Sequence, residues 1–233
     1  MILKLGLRDK VLRDKPLRKR YKSCFLFEFM ILNVPFYPQT TKLDCGPVAL
    51  KMVLAFFKED FDLNILEQRI GIKEGRGVYT IEIAIAVALL GYKTEFLCKQ
   101  TTFNKEYLKL DFYQKYTDTQ NISEELERLL EKAKKIGVKV EEKTIDLNEL
   151  LNKVTKESIP IVLIDWNVVK GVKEKGYHGH FVPVVGYDDK IVYIHNPGLK
   201  DPQAFLSVNK EVFDEARKSK GTDEDIVIIY NKR

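Results

Sequence analysis

Residues 48–57 are the segment that most constrains the fold of this chain, because they are apolar nearly all round. Pro47 stands just before them, and the first turn of a helix accommodates proline because no backbone N–H is needed there. The segment is therefore predicted as a helix that starts at Cys45. A helix without a polar face has to be covered on every side. We expect it to be the central helix of the molecule.

The predicted elements follow a segregated order, with helices first and strands concentrated in the last third. Apolar periodicity and capping residues predict further helices at five places: after Asp62, over 81–90, over 123–136, after Asp146 and over 209–218. Alternating or continuous apolar runs predict strands over 92–97, 138–142, 159–164, 180–186, 191–196 and 226–230. This order is typical of an α+β fold with separate layers.

The 233 residues, of which 45% are hydrophobic, fit one domain with its own core. Charge is uneven: residues 1–29 hold nine basic and three acidic residues, which leaves 30 basic and 31 acidic residues in 30–233. We interpret 1–29 as a basic N-terminal arm, disordered or loosely docked, or outside the natural product if Met30 is the start. Residues 30–233 are predicted as the folded body, with an insertion at about 100–135.

Composition excludes several classes of protein. The near-neutral body does not indicate a nucleic-acid partner. No apolar run approaches the roughly 18–20 residues that a membrane-spanning helix needs. Three cysteines in a chain of this length do not make a disulfide scaffold. Unpaired cysteines without a clear export signal favour a cytoplasmic protein.

Cys45 is the first candidate for chemistry, because it stands at the predicted start of the central helix. The unpaired N–H groups at a helix N-terminus favour negative charge, and a neighbouring imidazolium would lower the pKa of the thiol further. Gly46 leaves space beside the sulfur, and the amide of Gln39, six residues upstream, is suited to donate to an oxyanion. The alternative is that Cys45 is a small buried hydrophobe.

A histidine and an asparagine meet in the predicted hairpin over 180–196. A three-residue loop at 187–189 would place His180 directly opposite Asn196, so that the amide orients the imidazole. A two-residue loop would instead place His180 opposite Pro197. Histidine is the side chain that can deprotonate a thiol near neutral pH and then protonate a leaving amine.

Metal binding is the competing interpretation of the histidines. His178 and His180 alternate onto one face, and with Cys45 or His195 they would offer ligands to zinc. A structural zinc site takes four ligands, whereas the sequence has three histidines and no Cys-x-x-Cys pair. We therefore expect no metal and no cofactor, with His178 at the rim of the site and His195 in a structural role.

Two blocks of sequence together resemble a known family. They are VPFYPQTTKLDCGPVALKMVL at 34–54 and GHFVPVVGYD at 179–188. They are similar to the double-glycine, bacteriocin-processing type of cysteine peptidase, a branch of the papain-like superfamily, and most to its stand-alone members. The resemblance covers about 34–97 and 159–198. It implies a papain-like fold, with the catalytic Cys on a central helix of an N-terminal helical part that packs on a C-terminal antiparallel β-sheet.

Carried over by position, the resemblance implies Cys45 as the nucleophile, His180 as the general base and Gln39 as the oxyanion donor. Asn196 stands where this group usually has Asp, and Asn is the orienting residue in papain-like enzymes. The sequence thus predicts a cysteine peptidase or related thiol-dependent amide hydrolase that acts on a peptide or amide. The alternatives are an acyltransferase or transamidase with the same triad, and a non-catalytic binding module that retains the fold.

Overall fold

The structure is a computed structural model that describes residues 29–232, so residues 1–28 of the predicted arm over 1–29 lie outside the described residues. The apolar segment forms helix α1, Cys45–Phe56, and eight of its twelve residues are buried. It packs against other helices and against the sheet, which confirms the predicted central helix. The remaining helices are α2 Leu63–Ile70, α3 Thr80–Leu89, α4 Asp111–Tyr116, α5 Ile122–Lys135, α6 Leu147–Leu151, α7 Trp166–Val169 and α8 Lys210–Arg217.

Eight strands of the described residues form one sheet. They are β1 Met30–Ile31, β2 Lys93–Cys98, β3 Lys139–Glu142, β4 Ser158–Asp165, β5 Gly179–Tyr187, β6 Ile191–Asn196, β7 Gln203–Asn209 and β8 Ile226–Tyr230. The order is β3-β2-β8-β4-β5-β6-β7, with β1 beside β5. Every pair is antiparallel except β2 with β3. The predicted α+β fold class is confirmed.

The six predicted strands and the predicted helices over 81–90, 123–136 and 209–218 lie within one residue of the observed bounds at each end. Strands β1 and β7 and the short helices α4 and α7 were not predicted. Strand β7 is mostly half-buried or exposed, so it lacks the apolar signal of the inner strands. Helix α4 has no buried residue and therefore no core-facing stripe in its sequence.

The predicted register of the β5–β6 hairpin is wrong. Gly186 pairs with Tyr193, and the register shifts between Val184 and Gly186. The cause is the turn: the Asp188 carboxylate accepts the backbone N–H groups of Lys190 and Ile191, both at 2.8 Å. Local side-chain bonding of this kind decides turn geometry independently of the strand pattern.

The core lies between α1 and α3 on one side and the inner strands β4, β5 and β8 on the other. Glycine is required where α1 meets the sheet. A Cβ on Gly46 would lie 3.1 Å from the Ile83 side chain and 3.2 Å from the Phe181 ring, closer than ordinary van der Waals contact. Within residues 29–232, every helix is too short or too polar to span a bilayer.

The central position of α1 predicts a large cost for truncating it. Leu50 is fully buried, so Leu50→Ala is expected to lower the free energy of unfolding by about 2–5 kcal/mol. Leu89, at the end of α3, is 46% exposed, and Leu89→Ala serves as the control with a change below about 0.5 kcal/mol. Urea unfolding measures both. Equal effects of the two substitutions would contradict the central placement of α1.

Candidate active site

Cys45 is the first residue of α1, and the loop before it is fastened by Asp44. The Asp44 carboxylate accepts the backbone N–H groups of Thr40 and Thr41 at 2.9 and 3.0 Å, and the Thr40 hydroxyl at 2.9 Å. Asp44 is 1% exposed. Sequence reasoning missed this role, although two threonines shortly before an aspartate are a known signal for local side-chain to backbone bonding. The loop thereby holds Gln39 near the start of the helix.

His180 lies at the start of β5 and bonds directly to Asn196 at the end of β6, with 2.9 Å between Nε2 and Oδ1. The amide orientation follows from its other partners: Nδ2 donates to the Asp201 carbonyl at 2.6 Å, and Oδ1 accepts the Gly198 N–H at 3.0 Å. Because Oδ1 is an acceptor, His180 must donate from Nε2. Its Nδ1 therefore carries a lone pair and is the basic atom of the ring.

Gln39 is tied to the same end of the sheet, since its backbone N–H donates to the Pro197 carbonyl at 2.8 Å. Its side-chain Nε2 donates to the Thr41 carbonyl at 2.7 Å. Its Oε1 is buried without a hydrogen-bond partner among the described residues. One of the two amide hydrogens is thus engaged, and the second is left for a ligand.

Cys45, His180, Asn196 and Gln39 line one cavity with a volume of about 580 Å³. Cys45 is partly accessible from it, whereas His180 and Asn196 are 5% and 2% exposed. The backbone N–H of Phe181, the residue after His180, lies close enough to the Cys45 sulfur to favour its thiolate form. The fold therefore brings all four predicted site residues to the same cavity.

The insertion supplies one wall of that cavity. Its lining residues include Phe103, Phe112, Tyr113 and Tyr116. The Gly77 N–H donates to the Tyr116 carbonyl at 2.8 Å, which attaches α4 to the loop before α3. Trp166 forms part of another wall, with its ring centroid 5.1 Å from that of His180. Sequence reasoning did not single out the four aromatic residues of the insertion.

The other two histidines have different surroundings. His195 is fully buried; its Nδ1 accepts the Phe205 N–H at 3.0 Å, so its Nε2 is protonated and donates to the Val34 carbonyl at 2.9 Å. Both ring nitrogens are engaged, which fits a structural role. His178 is exposed at the edge of the cavity. Within residues 29–232, no group of three or more His, Cys, Asp or Glu side chains is placed to hold a metal ion.

Burial dominates the electrostatics of Cys45 and His180. It raises the pKa of the Cys45 thiol to about 11, against the opposing effect of the Phe181 and helix N-terminal N–H groups, and the Asp44 charge adds to the rise. Burial likewise lowers the pKa of His180 to about 4, although the bond to Asn196 acts in the other direction. Burial therefore opposes the low thiol pKa that the helix N-terminus was expected to give, and it favours the uncharged form of both groups.

Comparison with known proteins now assigns the family. A model of a family described as guanylylate cyclase matches residues 34–229, most of the chain. The chain belongs to the guanylylate cyclase family. A relative of this family member is the protein named guanylyl cyclase 1 of Arabidopsis thaliana, which is 25% identical over 228 residues, covering 90% of this chain and 80% of the relative.

Solved structures similar to this guanylylate cyclase family member carry a different name. A Bacillus anthracis chain named a C39-like peptidase matches with a TM-score of 0.54 and 20% identity, covering 88% of this chain and 98% of that one. A double-glycine-motif protease of an AMS/PCAT transporter, in complex with the leader peptide, matches with a TM-score of 0.47 and 19% identity, covering 88% and 95%. The resemblance seen in the sequence is thus confirmed for the fold.

The raised thiol pKa predicts how Cys45 of this guanylylate cyclase family member reacts with iodoacetamide. Alkylation requires the thiolate, so its rate is expected to rise about tenfold per pH unit from pH 7 to pH 10. Cys98, which is 1% exposed, is the internal control and should react more slowly throughout. Mass spectrometry of the two peptides measures both rates. A Cys45 rate that levels off below pH 8 would instead demonstrate a preformed thiolate–imidazolium pair.

The lowered pKa of His180 predicts a pH-dependent stability. The imidazole at position 180 takes up a proton near pH 6.5 in the unfolded chain but only near pH 4 in the folded chain. The contribution of His180 to the free energy of unfolding is therefore complete above pH 6.5 and is lost as pH falls towards 4. Between pH 7 and pH 4.5 this effect lowers the free energy of unfolding by about 2 kcal/mol. His180→Gln should remove this part of the pH dependence.

His178→Gln is the matched control, because His178 is exposed and should contribute less. Urea unfolding of the wild type and both variants at the two pH values measures the difference. If His180→Gln lost as much stability between pH 7 and 4.5 as the wild type, the buried neutral imidazole would be disproved.

Proposed function

We propose that this protein is a thiol-dependent amide hydrolase with Cys45 as the nucleophile and His180 as the general base and acid. The observation that carries the proposal is the fixed hydrogen bond from His180 Nε2 to Asn196 Oδ1. It leaves the His180 Nδ1 lone pair available in a cavity that Cys45 also lines. Asn196 is the positioning residue, held in turn by the Asp201 carbonyl and the Gly198 N–H.

The proposed reaction starts from the neutral pair. As the Cys45 sulfur adds to the substrate carbonyl carbon, its proton passes to His180 Nδ1. The oxyanion receives hydrogen bonds from the backbone N–H of Cys45 and the remaining amide hydrogen of Gln39. The C–N bond then breaks, and His180 returns the proton to the leaving nitrogen. Water, deprotonated by His180, attacks the thioester and releases the acid and the free thiol.

The difference in pKa explains why the base has to act during the attack. With a thiol pKa of about 11 and an imidazole pKa of about 4, transfer of the proton before substrate binds is strongly unfavourable. A negatively charged Asp at position 196 would favour the imidazolium, whereas the amide of Asn196 orients the ring without adding charge. The proposed enzyme is thus a general-base catalyst and not a stored ion pair.

The test is formation of an acyl-enzyme from an activated acyl donor such as N-acetylglycine p-nitrophenyl ester. A burst of nitrophenol, with a mass increase on the Cys45 peptide, is the expected result. His180→Gln should slow the burst about 100-fold or more, because it removes the base. Cys45→Ala should abolish it, and Cys98→Ala, which changes a thiol outside the site, should leave it unchanged. An equal burst in the wild type and His180→Gln would disprove the proposal.

The family name favours a second candidate, a guanylyl cyclase. In that reaction the ribose 3′-hydroxyl attacks the α-phosphorus and pyrophosphate leaves. The cavity wall carries four exposed lysines suited to a triphosphate, namely Lys42, Lys115, Lys170 and Lys200. Incubation with GTP and Mg²⁺ or Mn²⁺, with mass spectrometry for the cyclic product, tests this candidate. A cyclic product formed equally well by Cys45→Ala would favour the cyclase and contradict the thiol mechanism.

A further inference from the structure

The cavity has a second polar end at Asp225, which the proposed chemistry at Cys45 does not use. Asp225 directly precedes β8, and its carbonyl accepts the Leu163 N–H of β4 at 3.1 Å. Leu163 in turn pairs with Phe181 of β5, whose N–H lies close enough to the Cys45 sulfur to favour its thiolate form. Asp225 and Phe181 therefore lie in one row across the sheet, two strand spacings or about 10 Å apart.

The Asp225 carboxyl group has no counter-ion. Among the described residues, no Lys, Arg or His lies within ion-pair distance of it. Its neighbour Asp223 already accepts the Tyr107 hydroxyl at 2.6 Å and the Gln100 amide at 3.1 Å. Asp225 is half-buried and faces the cavity. Burial and the adjacent Asp223 raise its pKa well above the usual range, whereas the Thr80 side chain acts in the other direction.

The Thr80 hydroxyl lies beside this carboxyl group. Thr80, the first residue of α3, is 3% exposed and lines the cavity. Its buried hydroxyl favours the ionised form of the Asp225 carboxyl, with a geometry outside that of a regular hydrogen bond. With its proton directed at Asp225, the Thr80 oxygen keeps its capacity to accept. Thr80 and Asp225 together therefore offer acceptor oxygens for a group that donates several hydrogen bonds.

Aromatic rings surround this end of the cavity. Tyr113 and Tyr177 stack with centroids 5.8 Å apart, and Phe112 meets Tyr177 edge-on at 5.3 Å. The Tyr113 hydroxyl donates to the Gly221 carbonyl at 2.6 Å, which holds the insertion against the segment before β8. Aromatic faces next to a carboxylate are typical of sites for organic cations.

We propose that this end of the cavity, formed by Asp225, Thr80, Tyr113 and Tyr177, binds a cationic group of the ligand, a primary ammonium or a guanidinium. The placement relative to Cys45 rests on the proposed function: the substrate would then be an amide with a basic side chain next to the bond that is cleaved. A lysine side chain spans most of the roughly 10 Å that separate Asp225 from Phe181, the strand residue near Cys45.

Binding to the full-length Cys45→Ala variant tests the site without any catalytic step. The probes are Nα-acetyl-lysine methylamide and Nα-acetyl-norleucine methylamide, which differ by the terminal ammonium group. The lysine probe is expected to bind at least about tenfold more tightly in calorimetric or NMR titrations, because it pairs with a partly buried carboxylate. Equal affinity of the two probes would overturn the proposal, and this comparison needs no substitution at Asp225.

A second experiment tests whether Asp225 causes the preference for the lysine probe. Adding Asp225→Asn should remove the preference for the lysine probe and should not destabilise the fold, because it removes a carboxyl without a counter-ion. Asp111→Asn is the matched control, since Asp111 is an exposed carboxylate on the same cavity. A preference retained in Asp225→Asn, or lost equally in Asp111→Asn, would overturn the assignment. Since Cys45 is absent throughout, failure here is distinguishable from failure of the acyl-enzyme test.

Discussion

The contact between the start of α1 and strand β5 is the constraint on which the rest of the site depends. Gly46 lies so close to the Phe181 ring that a methyl group there would be crowded. This close approach brings the N–H of Phe181, the residue after His180, near enough to the Cys45 sulfur to favour its thiolate form. Asp44 then secures the preceding loop, and Gln39 is tied by its backbone to Pro197. One packing contact thus positions the cysteine, the histidine and the amide together.

The same close packing determines the protonation states. A helix N-terminus and a nearby N–H group favour the thiolate, but desolvation outweighs them and raises the thiol pKa to about 11. His180 is kept neutral for the same reason, and Asn196 orients it without supplying charge. The proposed chemistry therefore depends on the direction of the His180 lone pair, which a chain of hydrogen bonds through Asn196 to Asp201 and Gly198 determines.

Family and fold point to different chemistries, and the cavity is where they can be compared. The chain belongs to a family described as guanylylate cyclase, while its fold is that of C39-like peptidases. The cavity is lined by the Cys45 thiol, the His180 imidazole, the Asp225 carboxyl and aromatic residues of the insertion. Function resides in such groups and not in the fold itself. In the proposed function, the thiol would act on an amide whose basic group meets the Asp225 carboxyl.

The sequence by itself predicted the central helix and six of the eight strands, because apolar period and helix-start signals are local properties. Residue chemistry and the family resemblance singled out Cys45, His180, Asn196 and Gln39 as candidates for the site. The sequence did not determine the β5–β6 register, which the Asp188 side chain sets through the turn, although His180 still meets Asn196. Only the tertiary structure decided the pKa directions and the position of Asp225 in the cavity. Both depend on which distant segments exclude water from a group, and no local pattern records that.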